Sequence, residues 1–219
     1  VTPFVTICVG VLLSLGCAPA IGAAASTVGT AIMWATELQP FFMGIIVSVI
    51  VGIALTLPIS SAAICAALAG GAAVAGCCAQ MVGFAVMSFK ENKWGGLFAQ
   101  GIGTSMLQMG NIVRNPRIWL PPTLASAITG PVATCIFHLK MNGAAVASGM
   151  GTCGLVGQIG VYTGWVNDIA EGTKAAITGM DWAGLVLICF ILPAVLSWAI
   201  AIPMRKCGWI KENDLKLDL

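Results

Sequence analysis

Long apolar blocks separated by short polar interruptions set the pattern of this chain. Residues 4–26 form the first block, rich in Gly and Ala with Pro19 inside it, which predicts a spanning helix kinked at that proline. A mixed stretch, 27–40, carries Trp34, Glu37 and Gln39. Residues 41–57 are the cleanest helix, ended or broken at Pro58. Residues 60–89 form a longer one crowded with small side chains: Ala62, Ala66 and Gly70, then Ala67, Gly71 and Ala75. Small residues four apart let membrane helices approach closely. These blocks match the roughly 20 apolar residues that a helix needs to cross a bilayer. Segments of the short alternating kind that build a membrane barrel are missing. The pattern predicts an all-α, polytopic transmembrane helical bundle.

The second half is less regular. Lys90-Glu91-Asn92-Lys93 reads as a polar loop. Residues 94–113 then mix Gln100, Gln108 and Asn111 with Gly95, Gly96, Gly101, Gly103 and Gly110, too polar to face lipid and too apolar for a solvated loop. Residues 118–139 are apolar but interrupted by Pro121-Pro122 and Gly130-Pro131. Two half-helices meeting at Gly130-Pro131 predict a re-entrant hairpin, tolerated at membrane depth only under a cover of protein or a watery cavity; one kinked span is the alternative. Residues 142–164 hold a second Gly-interrupted segment, 166–181 a polar loop with Asp168, Glu171 and Lys174, and 182–204 a conventional last span. This gives a transmembrane domain over 1–204 and a cytoplasmic tail over 205–219.

Composition sharpens the picture. Charged residues make up 8% of the chain and hydrophobic ones 58%, with a mean hydropathy of +0.98, whereas a soluble domain is about a quarter charged. Before Lys90 the only charged side chain is Glu37. A net charge of +2 without a basic run speaks against a nucleic-acid partner. The nine Cys have no zinc-type spacing and read as small packing residues, so neither a metal nor another cofactor is expected. No phosphate-binding Gly-x-x-x-x-Gly-Lys-Ser/Thr loop occurs, and no catalytic residue stands out. The chain starts on Val1 with no basic leader before its first apolar run and reads as the later part of a longer protein. Basic residues mark cytoplasmic loops, so Lys90, Lys93, Arg114, Arg117, Lys140, Arg205 and Lys206 are placed on one face. With a hairpin at 118–139, that puts the Glu37 loop inside and Val1 outside.

Candidate chemistry lies in the polar content of the broken segments. Discontinuous helices build transporter sites near mid-membrane from free backbone N–H and C=O groups, and amide side chains both donate and accept. Gln100, Gln108, Asn111, Asn115 and Gln158 therefore suit a neutral polyhydroxylated ligand such as a sugar. His138, the only histidine, is either an interfacial polar residue or a hydrogen-bonding member of the site. Glu37 either sits among headgroups beside Trp34 or faces a cavity and accepts from a sugar hydroxyl. Arg114-Asn115-Pro116-Arg117 either fixes topology or meets a phosphorylated partner, since guanidinium groups match phosphate geometry.

Several stretches carry a resemblance. Leu57-Pro58-Ile59-Ser60-Ser61, Gly76-Cys77-Cys78-Ala79-Gln80-Met81-Val82-Gly83-Phe84, Lys90-Glu91-Asn92-Lys93-Trp94-Gly95-Gly96, Gly103-Thr104-Ser105-Met106-Leu107-Gln108, Asn115-Pro116-Arg117-Ile118-Trp119-Leu120-Pro121-Pro122 and Gly149-Met150-Gly151-Thr152 together resemble the enzyme IIC-like membrane family of the phosphoenolpyruvate-dependent sugar phosphotransferase system. Some of its members are similar to toxin-regulator membrane proteins. The resemblance implies further spans before Val1, a bacterial cytoplasmic membrane as the location, a homodimer, and a sugar bound in the membrane. It also implies a phosphorylated IIB-type partner that carries the phosphoryl group, because no IIB-like sequence follows Met204. Members use a Glu and a His near re-entrant hairpins; Glu37, Glu91 and His138 are the available side chains, and none falls in a matching motif. A membrane sensor or regulator that keeps the fold without coupled transport is the alternative function.

Overall fold

The computed structural model describes residues 39–57, 65, 70–139 and 144–217, together with positions 7 and 11. Glu37, Pro19 and Lys140 lie outside the described residues. Among those described there is no strand, and eight α-helices follow in order: α1 (Pro40–Thr56), α2 (Gly71–Met87), α3 (Phe89–Phe98), α4 (Met109–Arg114), α5 (Leu120–Pro131), α6 (Val156–Ala170), α7 (Gly179–Val186) and α8 (Leu192–Lys206). Wide π turns join α5 to Ile136 and α7 to α8.

The bundle is built around α2, in which every residue except Val86 is buried. Its small side chains permit this. A Cβ on Gly76 would collide with the Ser48 backbone of α1, so the two backbones touch where glycine leaves room. Close packing of this kind and interhelical hydrogen bonds hold the helices together. The contacts fix direction. Ser48 against Gly76 and Thr56 against Gln80 place α1 parallel to α2, whereas Ser48 Oγ donating to the Ser126 carbonyl (2.8 Å) and Thr134 Oγ1 donating to the Pro40 carbonyl (2.9 Å) run α5 antiparallel to α1.

The expected hairpin at Gly130-Pro131 is not formed. The helix continues through Pro131 into the π turn Val132–Ile136. A proline lacks the N–H and crowds the preceding turn; the wider turn absorbs the mismatch, and hydroxyls re-satisfy nearby carbonyls. Thr134 Oγ1 reaches the carbonyls of Gly130 and Pro131, both at 3.3 Å. Residues 118–139 therefore cross the bundle once. Arg114 and Arg117 stand at one end and His138 and Leu139 at the other, whereas the expected hairpin puts both ends of this stretch on one face. Gln39 and Pro40 stand with Thr134, away from Lys90.

The two ends differ in charge. Lys90, Lys93, Arg114, Arg117, Arg205, Lys206, Lys211 and Lys216 gather at one, with Glu91, Glu212 and Asp214. At the other stand Lys174, Asp168, Glu171 and Asp181. One continuous helix, Gly179–Lys206, is both long and apolar enough to cross a membrane; α1 and α2 are apolar but shorter, at 17 residues each. The outer faces are apolar as well: Phe42, Ile46 and Ile50 on α1, Leu120, Leu124 and Ile128 on α5, and Ile191 at the end of the π turn followed by Val195 and Trp198 on α8 are all exposed. Their spacing of three or four residues makes each a continuous ridge.

Candidate functional site

Two stretches of broken backbone interrupt the helices, and they meet. The first begins after α3, where the π turn Ala99–Gly103 ends in an extended Thr104. The Thr104 hydroxyl accepts from the Met106 amide (3.2 Å) and restarts the chain as the 3-10 turn Ser105–Gln108, an N-cap that satisfies an otherwise orphaned donor. The second runs from the 3-10 turn Ala145–Met150 through Gly151 to the short turn Cys153–Leu155. Gly151 has φ +54°, and a Cβ there would stand 2.7 Å from that of Cys77, so conformation and space both demand glycine. Thr152, fully buried, donates its hydroxyl to the Gly101 carbonyl of the first break and lies 3.5 Å from Met81 Sδ on α2. Residues 94–113 and 142–164, separately expected to be broken, thus form one junction.

Gln80 is a buried polar centre that the sequence reading did not select. It is fully buried in mid-α2. Its amide nitrogen donates to Thr123 Oγ1 (3.2 Å), and its oxygen accepts from Trp119 Nε1 (3.1 Å) and, at 3.5 Å, from the Thr56 hydroxyl. Thr56 in turn pairs with Ser105 in the first break (3.1 Å). One side chain therefore ties α1, α5 and a broken segment to α2. The signal was its isolation, a lone amide in the otherwise apolar stretch from Gly71 to Met87.

Three of the expected site amides bond the tail, and a fourth, Gln100, stands behind them. Gln108 donates to the Gln100 oxygen (2.9 Å) and to the Leu215 carbonyl (3.0 Å). Asn111 donates to the Gln108 oxygen (2.8 Å) and the Lys216 carbonyl (2.9 Å). Gln100 donates to Ser88 Oγ (2.7 Å), and Asn115 to the Trp209 carbonyl (2.9 Å) and Asp214 (2.7 Å). Asn92 completes the clasp, donating to the Leu215 carbonyl (2.7 Å) and accepting from the Leu217 amide (2.8 Å). The Leu215 side chain is fully buried, in a cluster with Phe84, Met87, Ile112, Ile118 and Ile210. Glu212 meets Lys90 at 3.0 Å, and the ammonium holds its carboxyl below the ordinary range.

Gln158 lies elsewhere. Its nitrogen faces Cys78 Sγ at 3.4 Å, and its oxygen is buried without a partner. Cys78 and Met81 lie one turn apart on α2, which brings Gln158 and Thr152 to neighbouring positions on that helix. Gln108 and Asn111 share no hydrogen-bond partner with it among the described residues. His138 is exposed, at φ +45°, on the wall of an open cavity of about 320 Å³ at the acidic end, with Trp165, Asp168, Glu171, Lys174 and Asp181. Lys174 there pairs with Asp181 (2.6 Å) and lies over the Trp165 ring (5.2 Å). Among the described residues no three His, Cys, Asp or Glu side chains are grouped as a metal site.

Comparison with known proteins adds the family. No curated protein matches this chain, and neither does any solved structure. The family described as "Phosphotransferase system, EIIC" matches residues 1–217, so the match takes in both broken segments, the central helix and the clasped tail. That match over almost the whole length shows the family: this chain belongs to the EIIC components of sugar phosphotransferase systems, which are membrane-integral proteins.

Proposed function

We propose that this chain is the sugar-translocating component of a phosphotransferase system in the bacterial cytoplasmic membrane, crossing it several times. Sugar engages the junction of the two breaks beside α2, through Gln158 and Thr152. One observation carries this reading: two broken segments far apart in sequence abut through Thr152 and Gly101, one turn of α2 away from a buried amide oxygen that has no partner. An unsatisfied buried acceptor costs about 1–3 kcal/mol, and a sugar hydroxyl supplies the missing donor. Of the residues first singled out, Gln158 keeps a ligand role, and Gln100, Gln108, Asn111 and Asn115 act as architecture. The basic end faces the cytoplasm by the distribution of Lys and Arg. There it receives a phosphorylated IIB-type protein, with Arg114 and Arg117 nearest the approach.

The test is a titration of purified protein with a panel of hexoses and disaccharides, paired with phosphoenolpyruvate-dependent sugar phosphorylation once the cognate soluble components are added. Gln158→Leu should weaken sugar binding about tenfold or more, from the hydrogen bond lost, while Gln108→Ala leaves it unchanged. The reverse result moves the site to the tail amides. If no sugar binds, and deletion of the gene alters transcription of its neighbours while uptake stays normal, the regulatory reading replaces this one.

A further inference from the structure

A second hollow stands apart from the junction, at the basic end. α3 and α8 diverge there and leave an open groove of about 630 Å³. Its wall is apolar and aromatic: Trp94 and Leu97 on one side, Trp198 and Ile202 on the other. Trp94 is 64% exposed and Trp198 56%, so neither ring is spent on the protein interior. Three cations, Lys90, Lys93 and Arg205, stand along it. Two of them are already matched: Arg205 holds Glu91 through both carboxylate oxygens (2.8 and 3.2 Å), and Lys90 holds Glu212 (3.0 Å). Lys93 is exposed and has no acidic partner among the described residues. The groove therefore has an oily floor and one uncompensated positive charge.

We infer that this groove binds one anionic phospholipid, its acyl chain along Trp198, Ile202 and Leu97 and its phosphate on Lys93. Tryptophans of this exposure settle at the membrane–water boundary, and basic pockets between helices on the cytoplasmic side select acidic headgroups. A single uncompensated ammonium matches a headgroup with one net negative charge, which makes phosphatidylglycerol the fitting probe. A zwitterionic lipid offers the same chains and no net charge. The inference rests on the membrane placement proposed above, but not on where sugar binds.

Native mass spectrometry of the detergent-purified full chain, titrated separately with phosphatidylglycerol and phosphatidylcholine, tests it. One phosphatidylglycerol should be retained about fivefold more tightly than phosphatidylcholine, the effect of one Lys near an acidic lipid. Lys93→Gln should bring the two lipids level, and Leu97→Trp, which fills the groove, should reduce retention of both. Equal retention of the two lipids by the wild-type protein would overturn the inference. So would selectivity that survives Lys93→Gln, retention unchanged in Leu97→Trp, or full competition by glycerol phosphate without chains. Cross-linking between copies through Trp94 and Trp198 would also overturn it, in favour of a dimer interface. Sugar affinity measured on the same samples separates this outcome from failure of the transport reading.

Discussion

The amides at the basic end and the amide at the junction are the same chemistry put to opposite uses. Gln100, Gln108 and Asn111 are chained to one another and to the tail backbone, with each nitrogen donating to a described partner. Gln158 has a thiol at its nitrogen and nothing at its oxygen. A saturated network rigidifies what it joins; a buried group left incomplete costs stability and stays available to a ligand. The difference teaches that buried polarity is a poor pointer to ligand binding until its partners are counted.

The largest effect should come from removing the most connected amide. Gln80→Leu strands Trp119 Nε1 and removes the bonds to Thr123 and Thr56. It should lower stability by about 3 kcal/mol, given about 1–3 kcal/mol for a buried group left unsatisfied and about 1 kcal/mol for each further bond lost. Unfolding in detergent followed by tryptophan fluorescence measures it. Next comes Gln108→Leu, expected to cost about 2 kcal/mol on the same grounds and to make the tail beyond Lys206 cleave faster under limited proteolysis. A tail just as protected in that variant would break the contrast at its saturated side. Gln158→Leu should raise stability by about 1 kcal/mol, since it removes the unpaired buried oxygen along with a weak contact to sulfur. Unfolding of that variant would show that the junction is a structural clamp after all.

The smallest effect is electrostatic. Lys90 lowers the Glu212 carboxyl from its ordinary value of 4.5. A group whose folded pKa is depressed adds stability above its unfolded pKa and loses it as pH falls through the folded one. Tail protection should therefore weaken slightly in acid below pH 4.5 in the wild-type protein. Lys90→Ala should abolish that component, seen as hydrogen exchange at Leu217 that no longer responds to Glu212. Both side chains are exposed, so salt screens the effect.

Much of this arrangement was legible in the residues. The composition and the small-residue spacing predict an all-helical body with close-packed backbones, and α2 meets that expectation at Gly76. The glycines around 101 and 151 mark broken backbone correctly. That the two breaks touch was not readable, because nothing local links Gly101 to Thr152. Gly130-Pro131 misled for a physical reason: a proline breaks a helix only if neighbours fail to re-satisfy its turn, and Thr134 and the π turn succeed. The amides misled because their acceptors, the carbonyls of Leu215 and Lys216, lie about a hundred positions away in the chain. Glu37 lies outside the described residues, and His138 faces solvent with Lys174 and Asp181 in its cavity.

The complete enclosure of α2 turns its two adjacent thiols into a built-in gauge. Cys77 and Cys78 have no accessible surface, so a water-soluble maleimide can reach them only while the helices around them part. Their modification rate, set against that of the exposed Cys207, would time how often the protein breathes and whether a bound solute holds it shut.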